Sequence, residues 1–348
     1  MKSFYNLIAI LFFGILGIQA QTIDVVTGLN NPTRLLLNGN DLYFSTPSEV
    51  FKIDITQSSP TPVSVVNGLT TATGMAMDGN ILYIAEFNAG RISKIDITDP
   101  TPTPEIVISG LNTPNCLYLD GNIMYYSDNN SRIVARFDVT DPSPTTEIVA
   151  TSAVNFDPIG LMLQGNILYM GQGQANRISK VDITSGVTQP TDVVLGLNRP
   201  IGIRIVGNNL YITERNGNKI SVKDLTNGTT AATDLVTGLN LPRDIEFAGS
   251  TIYIIESGAN KISKVENILG VEASIFNSNH KLFPNPAEDF IQLSNLTESF
   301  PYTIYSVLGN KISEGILQPN EKINTNNLQS GVYILSLNNG SSFRFVKN

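Results

Sequence analysis

Apolar and polar positions alternate along most of the chain in short runs of about five residues, the pattern of β-strands with one buried face. These runs repeat. A tyrosine follows a small turn six times, at intervals of 40, 42, 44, 42 and 42 residues: Tyr43, Tyr83, Tyr125, Tyr169, Tyr211 and Tyr253. In five copies a proline lies 11 residues before that tyrosine: Pro32, Pro114, Pro158, Pro200 and Pro242. Such a period indicates a repeat fold in which each copy is one supersecondary unit.

Each repeat contains four short segments. The first is typified by Asp234–Leu239, and the second follows the proline, as in Ile201–Ile205. A Gly-Asn or Gly-Ser pair then predicts a tight hairpin turn before the tyrosine segment, such as Ile81–Ala85, and the fourth segment is typified by Arg91–Asp96. Four strands per repeat match one blade of a β-propeller. The sequence therefore predicts an all-β fold with a six-bladed β-propeller over residues 21–267.

The closure of the ring has two solutions. A segment like the first of each repeat precedes the first blade at Thr22–Leu29, whereas the last repeat ends after Glu266 without a clear equivalent. We expect the N-terminal strand to complete the sixth blade, because that arrangement removes an unpaired sheet edge. The alternative is that Val271–Phe276 fills this place.

The repeats resemble the NHL-repeat family of six-bladed propellers. Ile252–Ile262 is similar to that family's series of strand, acidic residue, small loop, asparagine and basic residue. The first repeat departs from it, with Thr46 at the acidic position and Glu49 at the basic one. The resemblance covers about residues 22–267. It implies a fold shared by binding platforms, lyases and lactonases, so the activity stays open.

After residue 267 the period stops. Residues 268–281 are interpreted as a linker, and residues 282–348 predict a small Ig-like β-sandwich with alternating runs between Gly and Asn turns. This segment resembles the C-terminal sorting domain of substrates of the Bacteroidetes type IX secretion system in four motifs: Leu282–Ala287, Tyr302–Lys311, Leu328–Ile334 and Phe345–Lys347. The resemblance implies that the type IX secretion machinery is a partner and that the protein is released or attached to the cell surface. An ordinary Ig-like binding domain is the alternative.

Residues 1–20 are interpreted as a signal peptide. Lys2 supplies a positive start, Leu7–Ile18 is an apolar run, and Ala20 precedes a polar residue. The run is shorter than the roughly 20 residues that span a bilayer. No later stretch is long and apolar enough, so we expect no transmembrane segment in the mature chain. The expected route is export to the periplasm and then placement outside the cell or on its outer surface.

Composition and charge narrow the range of functions. Lys and Arg total 22 against 30 for Asp and Glu, so the net charge of −8 opposes binding to nucleic acid. Cys116 is the only cysteine, which excludes an intrachain disulfide and a cysteine-based zinc site. His280 is the only histidine and tryptophan is absent, which disfavours histidine-based acid–base chemistry and a quinone cofactor stacked on tryptophan.

Acidic residues recur at one blade position and face basic residues across a loop. The acidic set is Glu86, Asp128, Glu214 and Glu256, and the basic set is Arg91, Arg132, Lys219 and Lys261. Two interpretations are a carboxylate ring that holds a cation and cross-strand ion pairs that close each hairpin. Repetition in nearly every blade favours the ion pairs.

Differences between the blades indicate where a site could lie. Residues two and four positions after the proline share a strand face, and each of these positions, aligned across the six repeats, is called a column. In the first column, glycine in some repeats is replaced by a polar side chain in others. These columns and their neighbours predict an asymmetric polar cluster near the central channel: Arg34, Asn115, Cys116, Tyr118, Arg204, Arg243, Asp244 and Glu246. The cluster is either a ligand site at the channel mouth or a structural ion-pair network, for instance Arg204 with Glu246, with Cys116 as a small buried hydrophobe.

The first functional hypothesis is a binding or interaction propeller without catalytic residues, metal or cofactor. Its ligand is an unidentified protein, glycan or small molecule. The alternative is a hydrolase, lactonase or lyase-type enzyme with Ca²⁺ in the channel, held by the oxygen atoms of Asp244, Glu246 and Asn115.

Overall fold

The computed structural model of the protein describes residues 22–152, 156–266, 282–294, 296, 299–306, 311–337 and 342–347. Within these ranges the chain forms β-strands and one turn of 3-10 helix, Ser257–Ala259. The described residues form two compact units, and the first extends to Val265. The predicted signal peptide at 1–20, the predicted linker at 268–281 and the alternative closing strand within it lie outside the described residues.

The first unit consists of six antiparallel sheets of four strands each. The N-terminal strand is β1 Ile23–Val26. The first two sheets contain β2 Leu35–Asn38, β3 Asp41–Ser45, β4 Glu49–Asp54 and β5 Val63–Asn67, followed by β6 Ala72–Asp78, β7 Ile81–Glu86, β8 Arg91–Asp96 and β9 Glu105–Ser109. The next two contain β10 Pro114–Asp120, β11 Ile123–Asp128, β12 Ile133–Asp138 and β13 Glu147–Thr151, followed by β14 Pro158–Gln164, β15 Ile167–Gln172, β16 Arg177–Asp182 and β17 Thr191–Val194. The last two contain β18 Pro200–Val206, β19 Asn209–Glu214, β20 Lys219–Asp224 and β21 Thr233–Thr237, followed by β22 Pro242–Ala248, β23 Thr251–Glu256, β24 Lys261–Val265 and β1.

The leading strands of the six sheets form a closed ring. Contacts run from β2 to β6, β10, β14, β18 and β22, and β22 returns to β2. Residues of all six leading strands line one central cavity, so these strands are the innermost strands around a channel. The all-β fold and the six-bladed propeller predicted from the period are confirmed.

The ring is closed by the N-terminal strand. β1 pairs antiparallel with β24, with Ile23 opposite Lys264 and Val26 opposite Ile262. The Lys261 ammonium lies 2.6 Å from the Asp24 carboxylate, which adds a contact between the same two strands. The N-terminal strand is therefore the outermost strand of the sixth sheet, as the sequence predicted.

Burial explains the strand pattern of each repeat. The second strand of a sheet lies between neighbouring sheets and is buried on both faces: Leu42, Tyr43 and Phe44 of β3 are at most 1% exposed. Outermost strands such as β5 are largely exposed and bury one residue. The hairpin between the first two strands has a two-residue turn in which glycine has a positive φ of 54–60°, as at Gly39. A Cβ atom makes this backbone region unfavourable, so glycine, which has no Cβ, is the residue that fits it.

Three of the four acidic positions form the predicted ion pairs. Glu86 lies 2.7 Å from Arg91, Glu214 3.4 Å from Lys219, and Glu256 3.3 Å from Lys261. Each carboxylate also accepts a main-chain N–H from the loop that enters its blade, as Glu86 does from Thr70 at 3.0 Å. Asp128, at the fourth position, accepts main-chain N–H groups from Asn112, Thr113 and Ser131. These carboxylates fix loops between blades.

The second unit consists of two antiparallel sheets. One contains β25 Leu282–Phe283, β26 Phe290–Leu293 and β29 Lys322–Asn324; the other contains β28 Lys311–Leu317, β27 Phe300–Ser306, β30 Gly331–Leu337 and β31 Ser342–Lys347. Side chains from both sheets share one apolar core that includes Ile291, Leu335 and Phe345. This is the small β-sandwich predicted for the C-terminal segment. In the part of the chain that the structure describes, no helix is long and apolar enough to cross a membrane.

Candidate functional site in the channel

The innermost strands carry the residues of the predicted polar cluster. Asn115, Cys116 and Tyr118 lie on β10, Arg204 lies on β18, and Arg243, Asp244 and Glu246 lie on β22; Arg34 directly precedes β2. A cavity of about 170 Å³ in the channel is lined by five of the eight: Arg34, Cys116, Tyr118, Arg204 and Asp244. The structure therefore brings most of the predicted residues to one place, from four different blades.

Asp244 is the centre of this cluster. It is fully buried, and its Oδ1 lies 3.8 Å from Arg34 Nη1 and 3.5 Å from Arg204 Nη1. Its Oδ2 accepts the main-chain N–H of Leu35 at 3.0 Å. One carboxylate thus links the first, fifth and sixth blades.

Arg204 forms the shortest ion pair of this cluster, with Glu246. Its Nη2 and Nε lie 2.9 and 3.1 Å from Glu246 Oε2, and it also donates to the carbonyls of Ile203 and Leu35. Burial alone would lower the pKa of Arg204, but the nearby charges of Glu246 and Asp244 outweigh it and raise the pKa above its ordinary value. The predicted pairing of Arg204 with Glu246 from the neighbouring blade is confirmed.

Arg34 crosses the channel from the first blade to the third and fourth. Its Nη2 donates to Asn115 Oδ1 at 3.2 Å and to the Ile159 carbonyl at 2.6 Å. Cys116 is buried, and its main-chain N–H donates to Ser127 Oγ. The Tyr118 hydroxyl donates to the Leu163 carbonyl at 3.3 Å, and burial raises its pKa. These polar groups are engaged within the protein.

The glycines of the variable column reflect close approach between blades. A Cβ on Gly202 would lie 2.5 Å from Asp244 Oδ1, and one on Gly160 would lie 2.2 Å from the Ile201 carbonyl oxygen. Both distances are far below van der Waals contact. Glycine at these positions allows the innermost strands to pack together, and at Gly202 it leaves room for the Asp244 carboxylate.

The oxygen atoms suggested for Ca²⁺ do not fit that ion. Asp244 and Glu246 both face guanidinium groups, and Asn115 Oδ1 accepts a hydrogen bond from Arg34. A divalent cation there would lie next to two arginines, whose repulsion opposes binding. Across the described ranges, no group of three or more His, Cys, Asp or Glu side chains is placed to hold a metal ion.

A second cavity, of about 320 Å³, lies where the innermost strands begin. We call it the arginine cavity and define it by Arg199, Arg215, Arg243, Phe87, Asn129 and Ile159. Two residues of the predicted cluster, Arg243 and Asn115, line this cavity, whereas Arg199, Arg215, Phe87, Asn129 and Ile159 were not predicted from the sequence. Phe87, Asn129 and Arg215 each follow the recurring acidic position of their blade, and Arg199 precedes the repeated proline. Comparing blades at these loop positions, as was done for the strand columns, would have found them.

The C-terminal sequence matches a known family. Residues 281–348 match the family described as a secretion system C-terminal sorting domain. This domain is the type IX sorting domain that the motifs predicted. The protein is therefore directed out of the cell, to the medium or the outer surface. No curated protein sequence matches the chain.

Solved structures share the propeller fold at low sequence identity. A nidogen/laminin complex is 13% identical over 66% of this chain and 90% of that chain, with a TM-score of 0.58. Virginiamycin B lyase from Staphylococcus aureus is 16% identical over 71% and 98%, with a TM-score of 0.54; a histidine-to-alanine form of it is described as catalytically inactive. A protein proposed to be a gluconolactonase is 14% identical over 72% and 92%, with a TM-score of 0.57. The resemblance to NHL repeats in particular stays a prediction.

Removing the charge of Asp244 tests the structural role of the cluster. Asp244→Asn keeps an acceptor for Leu35 but leaves Arg34 and Arg204 facing a neutral group, so we expect the propeller to lose about 3–5 kcal/mol of stability. Urea denaturation of the full chain measures it. Asp120→Asn, at an exposed position of β10, is the control and should change stability by less than about 0.5 kcal/mol. Equal stability of both variants would contradict the structural network.

Proposed function

We propose that the protein is a β-propeller that binds a ligand without catalysing a reaction, outside the cell or on its surface. The observation that carries this proposal is that both carboxylates of the predicted cluster, Asp244 and Glu246, contact arginine. A carboxylate held by a guanidinium is a poor general base and a poor metal ligand, since the charge that either role needs is already compensated.

The enzymatic alternative is a hydrolase, lactonase or lyase-type activity in the channel. The structural neighbours include a lyase and a protein proposed to be a gluconolactonase, but at 14–16% identity they share the fold and a fold does not carry an activity. The form of the lyase in which one histidine is replaced by alanine is described as catalytically inactive. The one histidine of this chain, His280, lies outside the propeller repeats and outside the described residues. The residues of this channel favour the binding role.

Export completes the proposed function. The N-terminal 20 residues direct the chain to the periplasm, and the sorting domain at 281–348 then presents it to the type IX secretion machinery. Release into the medium and attachment to the outer surface are both outcomes of that route. The propeller is the part delivered, and its ligand is met outside the cell.

Deletion of residues 282–348 tests the route. The truncated chain keeps the predicted signal peptide and the whole propeller, so we expect it to reach the periplasm and stay there. Cell fractionation followed by immunoblotting of the propeller measures this, with the full chain and a periplasmic marker as controls for export and lysis. Truncated protein outside the cell at the level of the full chain would contradict the role of the sorting domain.

An activity panel tests the binding role. We expect no turnover of lactone and ester substrates by the purified full chain, with or without added Ca²⁺, because the channel carboxylates are neutralised by arginine. Substrate depletion measured by chromatography gives the result. Turnover that exceeds a heat-unfolded sample and disappears in Asp244→Ala would establish the enzymatic alternative instead.

A further inference from the structure

The arginine cavity holds three cationic groups close together. Arg199 lies in the loop that enters the fifth blade and Arg215 in the loop between β19 and β20, and the Arg215 main-chain N–H donates to the Arg199 carbonyl at 3.0 Å. Arg243 comes from β22 in the sixth blade and is half-buried. The three side chains line one concave space, which is the geometry in which several guanidinium groups can contact one ligand.

These guanidinium groups differ from those of Arg34 and Arg204. Across the residues that the structure describes, none of the three forms an ion pair. Asp157 and Asp244 interact with Arg199 and Arg243 only at longer range. The cavity therefore carries an excess of positive charge, although the chain as a whole has a net charge of −8.

Burial and mutual repulsion act on this excess charge. Burial, followed by repulsion from Arg34, Arg215 and Arg199, lowers the pKa of Arg243 to about 10. Burial and repulsion from Arg199 also lower the pKa of Arg215. A cation whose pKa falls on folding destabilises the folded state while it is charged. An anion in the cavity would remove this cost, and guanidinium groups bind carboxylate and phosphate through paired, charge-assisted hydrogen bonds.

The remaining walls indicate what the anion is attached to. Phe87, Ile159 and Ile201 give the cavity an apolar side. A volume of about 320 Å³ is at the lower end of the range of small-molecule pockets, about 300–1,000 Å³. The cavity thus combines a cationic side with an apolar side on the scale of a small organic molecule.

We propose that the arginine cavity binds a small organic anion, with its carboxylate or phosphate group held by Arg199, Arg215 and Arg243 and its apolar body against Phe87 and Ile159. This inference rests on the binding role proposed above and names the chemical class of the ligand. The anion binds next to the ion-pair network of the channel, without displacing the contacts of Asp244.

The test uses two anionic probes and one neutral probe of similar shape. Benzoate and phenyl phosphate represent the two anionic groups, and benzamide keeps the ring without the charge. Calorimetric titration of the full chain at low ionic strength should show saturable binding of at least one anion and none of benzamide, and added salt should weaken the binding. Comparison of the affinities for benzoate and phenyl phosphate shows whether the cavity prefers a carboxylate or a phosphate group.

A variant pair locates the binding. Arg243→Gln should lower the affinity for the anion by about tenfold or more, because it removes one charge-assisted contact. The same variant should raise the Tm without ligand, since it relieves the repulsion among the three arginines. Arg136→Gln is the control. Arg136 pairs with Glu147 between β12 and β13, the two outer strands of the third blade, so this variant should leave the affinity unchanged.

The outcomes separate this inference from the proposed function. Absence of saturable anion binding, equal binding of benzamide, or an Arg243→Gln variant with wild-type affinity would each overturn the anion site. These results concern anion binding only, so a propeller that binds another class of ligand would still agree with them. Turnover in the activity panel would overturn the proposed function whatever the titrations show.

Discussion

The pairing of β1 with β24 is the constraint on which the propeller depends. Four-stranded sheets cannot bury both faces alone, so each sheet needs a neighbour on either side. The chain ends of the propeller meet in the sixth sheet, where the first strand in sequence is the outermost strand. Without this pairing the sixth sheet would have three strands, and the outer main-chain groups of β24 would be unpaired. Closure by main-chain hydrogen bonds turns six local units into one cooperative structure.

Closure also creates the polar cluster of the channel. Asp244 belongs to the last blade, whereas Arg34 and the Leu35 N–H belong to the first. They meet only when the ring is complete. A buried ion pair adds little net stability, because desolvation offsets the attraction, but breaking one partner away is costly. The cluster therefore favours one arrangement of the blades over other arrangements more than it strengthens the fold.

The sequence was informative where the chain repeats and less so where it does not. The tyrosine and proline spacing was enough to predict the six sheets, and the comparison of strand columns was enough to predict the pairing of Arg204 with Glu246. Strand positions are predictable because side chains alternate regularly. Phe87 and Arg215 also occupy recurring loop positions that differ between blades, but only the strand positions were used for the prediction, so their place in the arginine cavity came from the structure. Sequence spacing also could not show that Asp128 would bind main-chain N–H groups of its loop.

The protein thus combines a propeller with a sorting domain, and the two units carry different information. The sorting domain directs the protein out of the cell, and the excess of arginine at one end of the channel is the basis of the proposed anion site. The arginine cavity depends on a closed ring, because its residues come from several blades. Native-state hydrogen exchange of the full chain tests closure most directly. We expect the amide hydrogens bonded between β1 and β24 to exchange with the same free energy of opening as those of the buried strand β3. Exchange of β1 and β24 through a separate, lower-energy opening, while β3 stays protected, would contradict it.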